Sequence, residues 1–167
     1  MRAIAHFDGG ARPTNPGHAG IGIVLDLDGT EHILSRYIGI HTNNYAEWTA
    51  CVVAIKFAAE HQAEDLKLVT DSKLVRHQLD GSWKARQAEL RPFLTEAQKL
   101  LDWFFRDAWR IEWVRRDLNA HADSLCTSAI NAGRNRNPFT PQKIKDKRVG
   151  KITDPFAVEV LHAKLRR

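Results

Sequence analysis

The chain has 167 residues, 43% of them hydrophobic and 27% charged, with a formal net charge of +5. A single domain fits that length, and the apolar content excludes a wholly disordered chain. No run approaches the roughly 18 apolar residues of a membrane-spanning helix, and the N-terminus MRAIAHFDGG lacks the apolar core of a secretory signal. From Arg2 to Asp8 the residues alternate as a strand should, with Ala3, Ala5 and Phe7 on one face and Ile4, His6 and Asp8 on the other. The stretch GGARPTNPGHAG reads as a loop, followed by strands near Ile21 to Leu27 and Glu31 to Ile38 around an Asp28-Gly29 turn. Apolar residues at helical spacing predict a helix from Tyr45 to about His61, with Asn44 as its N-cap. Leu66 to Thr70 is a short strand ending at Asp71, and Ser72 to Leu79 a helix stopped by Asp80-Gly81. Pro92 opens a helix to about Arg106, Arg110 to Val114 is the last strand, and Asn119 caps a helix ending near Gly133.

That order, three strands and then helices alternating with two more, predicts a mixed α/β layer fold whose sheet is partly parallel. Charge divides the chain. Residues 1–133 hold 15 Lys+Arg against 17 Asp+Glu, whereas residues 134–167 hold 10 against 3 together with three of the six prolines. We therefore expect a domain over 1–133 and a basic C-terminal extension over 134–167, which makes a polyanionic partner plausible. Cys51 and Cys126 show no metal-ligand spacing and sit in apolar stretches, so they are expected to be free. A monomer in the cytoplasm, without a membrane partner, is the expectation.

Four carboxylates hold comparable places in this map. Asp8 and Asp71 end strands, while Glu47 and Asp123 lie in the first turns of helices. Ligands of an open α/β sheet gather beyond the carboxyl ends of its strands. At about 100° per residue, Glu47 and Asp123 fall at the edges of their helices' apolar stripes. Each acid alone also fits a local role, Glu47 in a capping box with Asn44 and Asp123 at a helix N-terminus. Together, four acids in one cleft repel one another unless a cation is bound. Oxygen ligands suit Mg²⁺ or Mn²⁺, and two such ions support phosphodiester cleavage.

On four segments in order, FDGGARPTNPG with Asp8, TNNYAEWTA with Glu47, VTDSKLV with Asp71 and NAHADSL with Asp123, residues 1–133 resemble the type 1 ribonucleases H. The resemblance implies a ribonuclease H-like fold, a five-stranded mixed sheet with strand 2 antiparallel and helices flanking it. It implies metal-dependent endonucleolytic hydrolysis of the RNA strand of RNA/DNA hybrids, giving 5′-phosphate and 3′-hydroxyl ends. Asp8, Glu47, Asp71 and Asp123 match the catalytic, metal-binding acids, which would hold two Mg²⁺ or Mn²⁺ ions, with Asp8 and Asp71 closest to both. Asn15, Asn43 and Asn44 match positions facing the RNA strand, where an amide both donates to and accepts from a ribose 2′-hydroxyl. Thr42 lies where the family binds a DNA-strand phosphate, and Ser72 and Asn119 are further expected substrate contacts. Trp83, beside Lys84 and Arg86, is either a wall of the DNA channel or a core residue.

Three features depart from the family pattern, the first being a loop between Asp8 and Asn15 one residue longer than is usual. Many members carry a histidine on a loop before the last acidic helix. The segment from Trp113 to Asn119 is short and has none, leaving Arg115, Arg116 or His121 as auxiliary candidates. The chain also lacks the long basic protrusion of some bacterial members, so the basic extension is expected to supply affinity for hybrid. The competing readings are another two-metal nuclease of this fold, such as a junction resolvase or exonuclease, and a non-catalytic nucleic-acid-binding module. The asparagines aimed at a ribose argue against the first. Against the second, a pure binder gains nothing from negative charge where phosphates must approach.

Overall fold

A computed structural model describes residues 1–136. The elements run β1 (Arg2–Arg12), β2 (Gly17–Leu27), β3 (Thr30–His41), α1 (Asn43–Glu60), β4 (Asp65–Thr70), α2 (Lys73–Leu79), α3 (Arg91–Phe104), β5 (Trp109–Trp113), a 3-10 turn over Arg116–Asn119, and α4 (Ala120–Arg136). The sheet order is β3-β2-β1-β4-β5. β2 is antiparallel to both β1 and β3, and β1, β4 and β5 are mutually parallel. The mixed five-stranded sheet is thus as expected, and the basic extension lies outside the described residues apart from the end of α4.

Strand alternation builds the core. Ala3, Ala5 and Phe7 of β1 and Ile21, Ile23 and Leu25 of β2 are fully buried on one face, where α1 and α3 complete the cluster. Helix α1 is buried on most of its circumference, from Tyr45 through Trp48, Ala50 and Ile55 to Ala58, as befits a helix apolar nearly all round. Helix α3 buries only Phe93, Ala97, Leu100 and Leu101, a single stripe at i, i+4, i+7 and i+8, and it starts with Pro92 in its first turn. On the opposite face of the sheet α4 lies across β2, with Ala122, Cys126, Ala129 and Ile130 buried. Both cysteines are free and buried. Among the described residues no helix is long and apolar enough to cross a membrane.

Several boundaries differ from the sequence reading. Most of GGARPTNPGHAG is strand: β1 continues to Arg12 and β2 starts at Gly17, so Asp8 lies within a strand instead of ending one. The glycines that suggested a loop serve close approach of backbones. A Cβ on Gly9 would lie 2.1 Å from the Ala46 carbonyl oxygen of α1, and the same closeness recurs in the expected strand beyond the stretch, where one on Gly22 would lie 2.2 Å from the Ala122 oxygen of α4. Thr42, not Asn44, caps α1, its Oγ1 accepting the Tyr45 N–H at 3.1 Å. Glu47 consequently makes no capping box with Asn44. Asn119 does not cap the last helix but closes the 3-10 turn before it, and α4 runs three residues beyond Gly133.

Candidate active site

Packing and register bring the four acids together. The parallel pairing of His6 with Val69, carried on by two residues, sets Asp71 abreast of Asp8. The close contact of Gly9 with Ala46 presses the first turns of α1 onto β1, which delivers the next residue, Glu47, to the same end of the sheet. Asp8 pairs with Gly22, the position over which α4 crosses, and this carries Asp123 in from the other face. Asp8, Glu47 and Asp71 line one cleft of about 450 Å³ with Arg12, Asn43, Trp113 and Arg116.

The electrostatics bear the marks of crowding. Burial, reinforced by the Asp71 charge and by a hydrogen bond with the Asp123 carboxyl, pushes Asp8 up to about 8. Burial also pushes Glu47 up to about 7, against the lowering effect of the Ser72 hydroxyl, which donates to Glu47 Oε2 at 2.7 Å. Two guanidinium groups offset part of the negative charge. Arg116 lies 3.9 Å from Asp71 Oδ2 and 3.4 Å from Asp123 Oδ1, and Arg12 lies 3.5 Å from the same Asp123 oxygen. As placed, no three acidic, imidazole or thiol groups among the described residues surround one ion. The donor set nevertheless fits hard divalent cations: its ligand atoms are all carboxylate oxygens, and burial raises Asp8 and Glu47 above the usual carboxylate range, a cost that a bound cation would offset.

The other expected site residues divide. Asn43 lines the cleft and its Oδ1 accepts the Ala11 N–H at 3.0 Å. Asn15 stands beside it at the surface, its Oδ1 accepting the Asn43 N–H at 2.9 Å. Asn44 is half-buried on the first turn of α1. Ser72 caps α2 while holding Glu47, so its hydroxyl serves the fold and the site at once. Asn119 is buried, its Nδ2 donating to the Phe7 carbonyl at 2.9 Å and reaching Asp71 Oδ1 at 3.4 Å; it reaches the site through Asp71, not from the surface. Trp83 is not in the core: it is 47% exposed and stacked on His77 at 4.4 Å, with Lys84 and Arg86 exposed nearby in sequence.

Of the auxiliary candidates, only Arg116 touches the acids. Arg115 pairs with Asp117. His121 turns away from the carboxylates, its Nδ1 3.6 Å from Glu31 in a separate groove with His6 and Leu118. Two site residues escape the sequence reading. Arg12 falls in what reads as a loop. Trp113 donates from Nε1 to the Asp71 carbonyl at 3.0 Å and carries Lys73 Nζ 5.0 Å above its ring; the pairing of Thr70 with Trp113 at the ends of β4 and β5 is the signal for it.

Residues 6–129 match the family described as reverse transcriptase-like. The chain is 39% identical over 133 residues to the ribonuclease HI of Halobacterium salinarum, covering 78% of this chain and 65% of that protein. It is 35% identical over 135 residues to the bifunctional protein Rv2228c of Mycobacterium tuberculosis, of which it spans 36%. The solved N-terminal RNase H domain of that protein superimposes with a TM-score of 0.73, 34% identity and coverage of 78% of this chain and 99% of that one. LC11-RNase H1 in complex with an RNA/DNA hybrid superimposes with a TM-score of 0.71 at 31% identity, covering 78% of this chain and 98% of that one. With the fold, the order of its acidic segments and these matches in agreement, the chain belongs to the ribonuclease H family of enzymes, in its type 1 branch.

Proposed function

We propose that the chain is a metal-dependent endoribonuclease that hydrolyses the RNA strand of RNA/DNA hybrids, acting as a cytoplasmic monomer. One observation carries this reading: Asp8, Glu47 and Asp71 line one cleft and Asp123 of α4 hydrogen-bonds Asp8 at its edge, in a fold shared with a relative whose structure holds an RNA/DNA hybrid. Asp8, Glu47, Asp71 and Asp123 would hold two Mg²⁺ or Mn²⁺ ions, with Asp8 and Asp71 central because neighbouring parallel strands set them side by side. Bound divalent ions supply Lewis-acid stabilisation of the scissile phosphate and lower the pKa of the attacking water. Hydrolysis there would add a water oxygen to phosphorus as the P–O3′ bond breaks, with a proton passing to O3′, which would leave a 3′-hydroxyl on one fragment and a 5′-phosphate on the other.

The chain's own side chains select and orient the strand. The Asn43 amide is oriented before substrate arrives by the bond from Ala11 N–H to its Oδ1, so its Nδ2 donates to a ribose 2′-hydroxyl, the group that separates RNA from DNA. Asn15 braces the backbone of Asn43, and Asn44 offers a second amide on the same helical turn. Thr42 at the head of α1 and the exposed Trp83, Lys84 and Arg86 meet the DNA strand through phosphates and sugars. Ser72 fixes Glu47, and Asn119 fixes Asp71. Arg116, 70% exposed above two of the acids, is the group that phosphate or cation must displace. One labelled strand offered as hybrid, double-stranded DNA and double-stranded RNA, with Mg²⁺, with Mn²⁺ and with chelator, tests the reading. Metal-dependent cleavage of the RNA strand of hybrid alone is expected. Cleavage of DNA duplex would point to a related nuclease, and binding without cleavage to a non-catalytic module.

A further inference from the structure

At the far end of β1, Arg12 is built into the site more firmly than its place in a Gly/Pro-rich sequence suggests. Its Nη1 donates to Thr127 Oγ1 at 2.5 Å and its Nη2 reaches Asp123 Oδ1 at 3.5 Å. Asp123 and Thr127 are four residues apart on α4 and so lie one above the other on one face of that helix. The planar fork of a single guanidinium spans both, a geometry that a lysine ammonium cannot reproduce. The Arg12 side chain is 37% exposed. Arg116, the other cation on Asp123 Oδ1, is 70% exposed and comes from the 3-10 turn. One guanidinium is anchored by a hydroxyl as well as by charge; the other is held by carboxylates alone.

We infer that Arg12 is a positioning residue that holds the Asp123 carboxylate facing Asp8 for cation binding, while Arg116 is the exchangeable counter-ion of the same oxygen. The physical need is plain. The Asp123 carboxylate is 31% exposed and free to swing outward toward solvent, and a guanidinium set against one of its oxygens and itself tied to Thr127 opposes that motion. The inference rests on the reading of Asp123 as a metal ligand.

The test is a double-variant cycle on the full chain with Mn²⁺ as the probe. Free Mn²⁺ is followed by its electron paramagnetic resonance signal in Arg12→Met, Arg12→Lys, Thr127→Val, Asp123→Asn and the combined Arg12→Met/Asp123→Asn variant. Melting curves are recorded for each, and kcat and KM are measured on hybrid. Arg12→Met is expected to weaken Mn²⁺ binding roughly 10–100-fold, the usual loss when a group orienting a metal ligand is removed, and to lower kcat far more than it raises KM. Arg12→Lys should fail to restore either. Adding Arg12→Met to Asp123→Asn should change Mn²⁺ affinity no further, because the effect runs through that carboxylate. Additive losses in the combined variant would overturn the inference, as would wild-type Mn²⁺ affinity in Arg12→Met, whether or not its melting temperature falls. If Arg12→Met does not fold, Arg12→Lys and Thr127→Val decide the same question. A wild-type protein that binds Mn²⁺ yet leaves hybrid intact would refute the nuclease reading, while the Mn²⁺ cycle would still decide the role of Arg12.

Discussion

At the scale of single residues the acids to which the proposed reaction is assigned also carry a cost to the fold. Asp71 sits between Asp8, Glu47 and the Arg116 guanidinium, so Asp71→Asn should lower turnover on the order of 10³-fold or more, equivalent to several kcal/mol of transition-state stabilisation. Hybrid binding and melting temperature should change little; wild-type turnover would remove Asp71 from the mechanism. The raised values of Asp8, about 8, and Glu47, about 7, have a consequence for stability. In the unfolded chain both groups ionise near pH 4. Between pH 4 and 8 the unfolded chain therefore sheds protons that the folded protein keeps, and stability contributed by these groups falls as pH rises. The metal-free melting temperature should decline from pH 5 to 8, and Mg²⁺ should restore more of it at pH 8 than at pH 6, since cations bind the ionised form. Asp8→Asn should flatten that decline and raise the metal-free melting temperature at pH 8 by roughly 3–8 °C, the equivalent of about 1–2 kcal/mol. Equal slopes in the two proteins would show that Asp8 is not the group responsible.

At the scale of elements, the site depends on where helices begin and how near they come to the sheet. Thr42 caps α1 through the Tyr45 N–H, so Thr42→Ala should cost about 1 kcal/mol, whereas Asn44→Ala should leave stability nearly unchanged. Thermal melts of the two variants decide between the caps. Gly22→Ala is the harsher change, because its Cβ would sit 2.2 Å from the Ala122 oxygen and 2.6 Å from the Cys126 nitrogen, both backbone atoms that cannot rotate away. It should cost roughly 1–3 kcal/mol and, by lifting α4, lower kcat as well. These elements also show what can be read from the sequence. The acids are legible because the chemistry demands carboxylates and the elements carrying them have clear periodicity. The cap is not, because Thr42, Asn43 and Asn44 are all good cap residues, and only docking of α1 on Gly9 chooses among them. Arg12 is hidden for a related reason: glycines that admit a helix backbone carry the same sequence signal as glycines that make a loop, so the end of a strand looks like a turn and its last side chain passes unnoticed.

At the scale of the whole molecule, the site poses an electrostatic problem that the described residues do not solve by themselves. On the proposed function, a polyanionic substrate must approach a cleft lined by carboxylates on a domain whose first 133 residues carry more acid than base. Residues 137–167 hold eight Lys+Arg against three Asp+Glu and lie outside the described residues, and we propose that they supply phosphate contacts that a basic protrusion gives to other members. The cut that tests this must follow Arg136. Ending the chain at residue 133 would strip residues 134–136 from the end of α4 and leave Gly133, which packs against the Tyr37 ring, as a frayed terminus, and so would confuse weaker binding with failed folding. A chain ending at Arg136 should keep its melting temperature and its kcat at saturating hybrid while KM rises. Every phosphate that goes unneutralised should reduce the slope of log affinity against log salt by about 0.7–0.9, so three such phosphates would flatten it by roughly 2–3. Hydrolysis measured between 50 and 200 mM salt reads that slope directly. A shortened chain with the same slope and the same KM would place all the phosphate-binding groups within residues 1–136, and Lys73, Lys84, Arg86 and Arg116 would then be the groups to neutralise next.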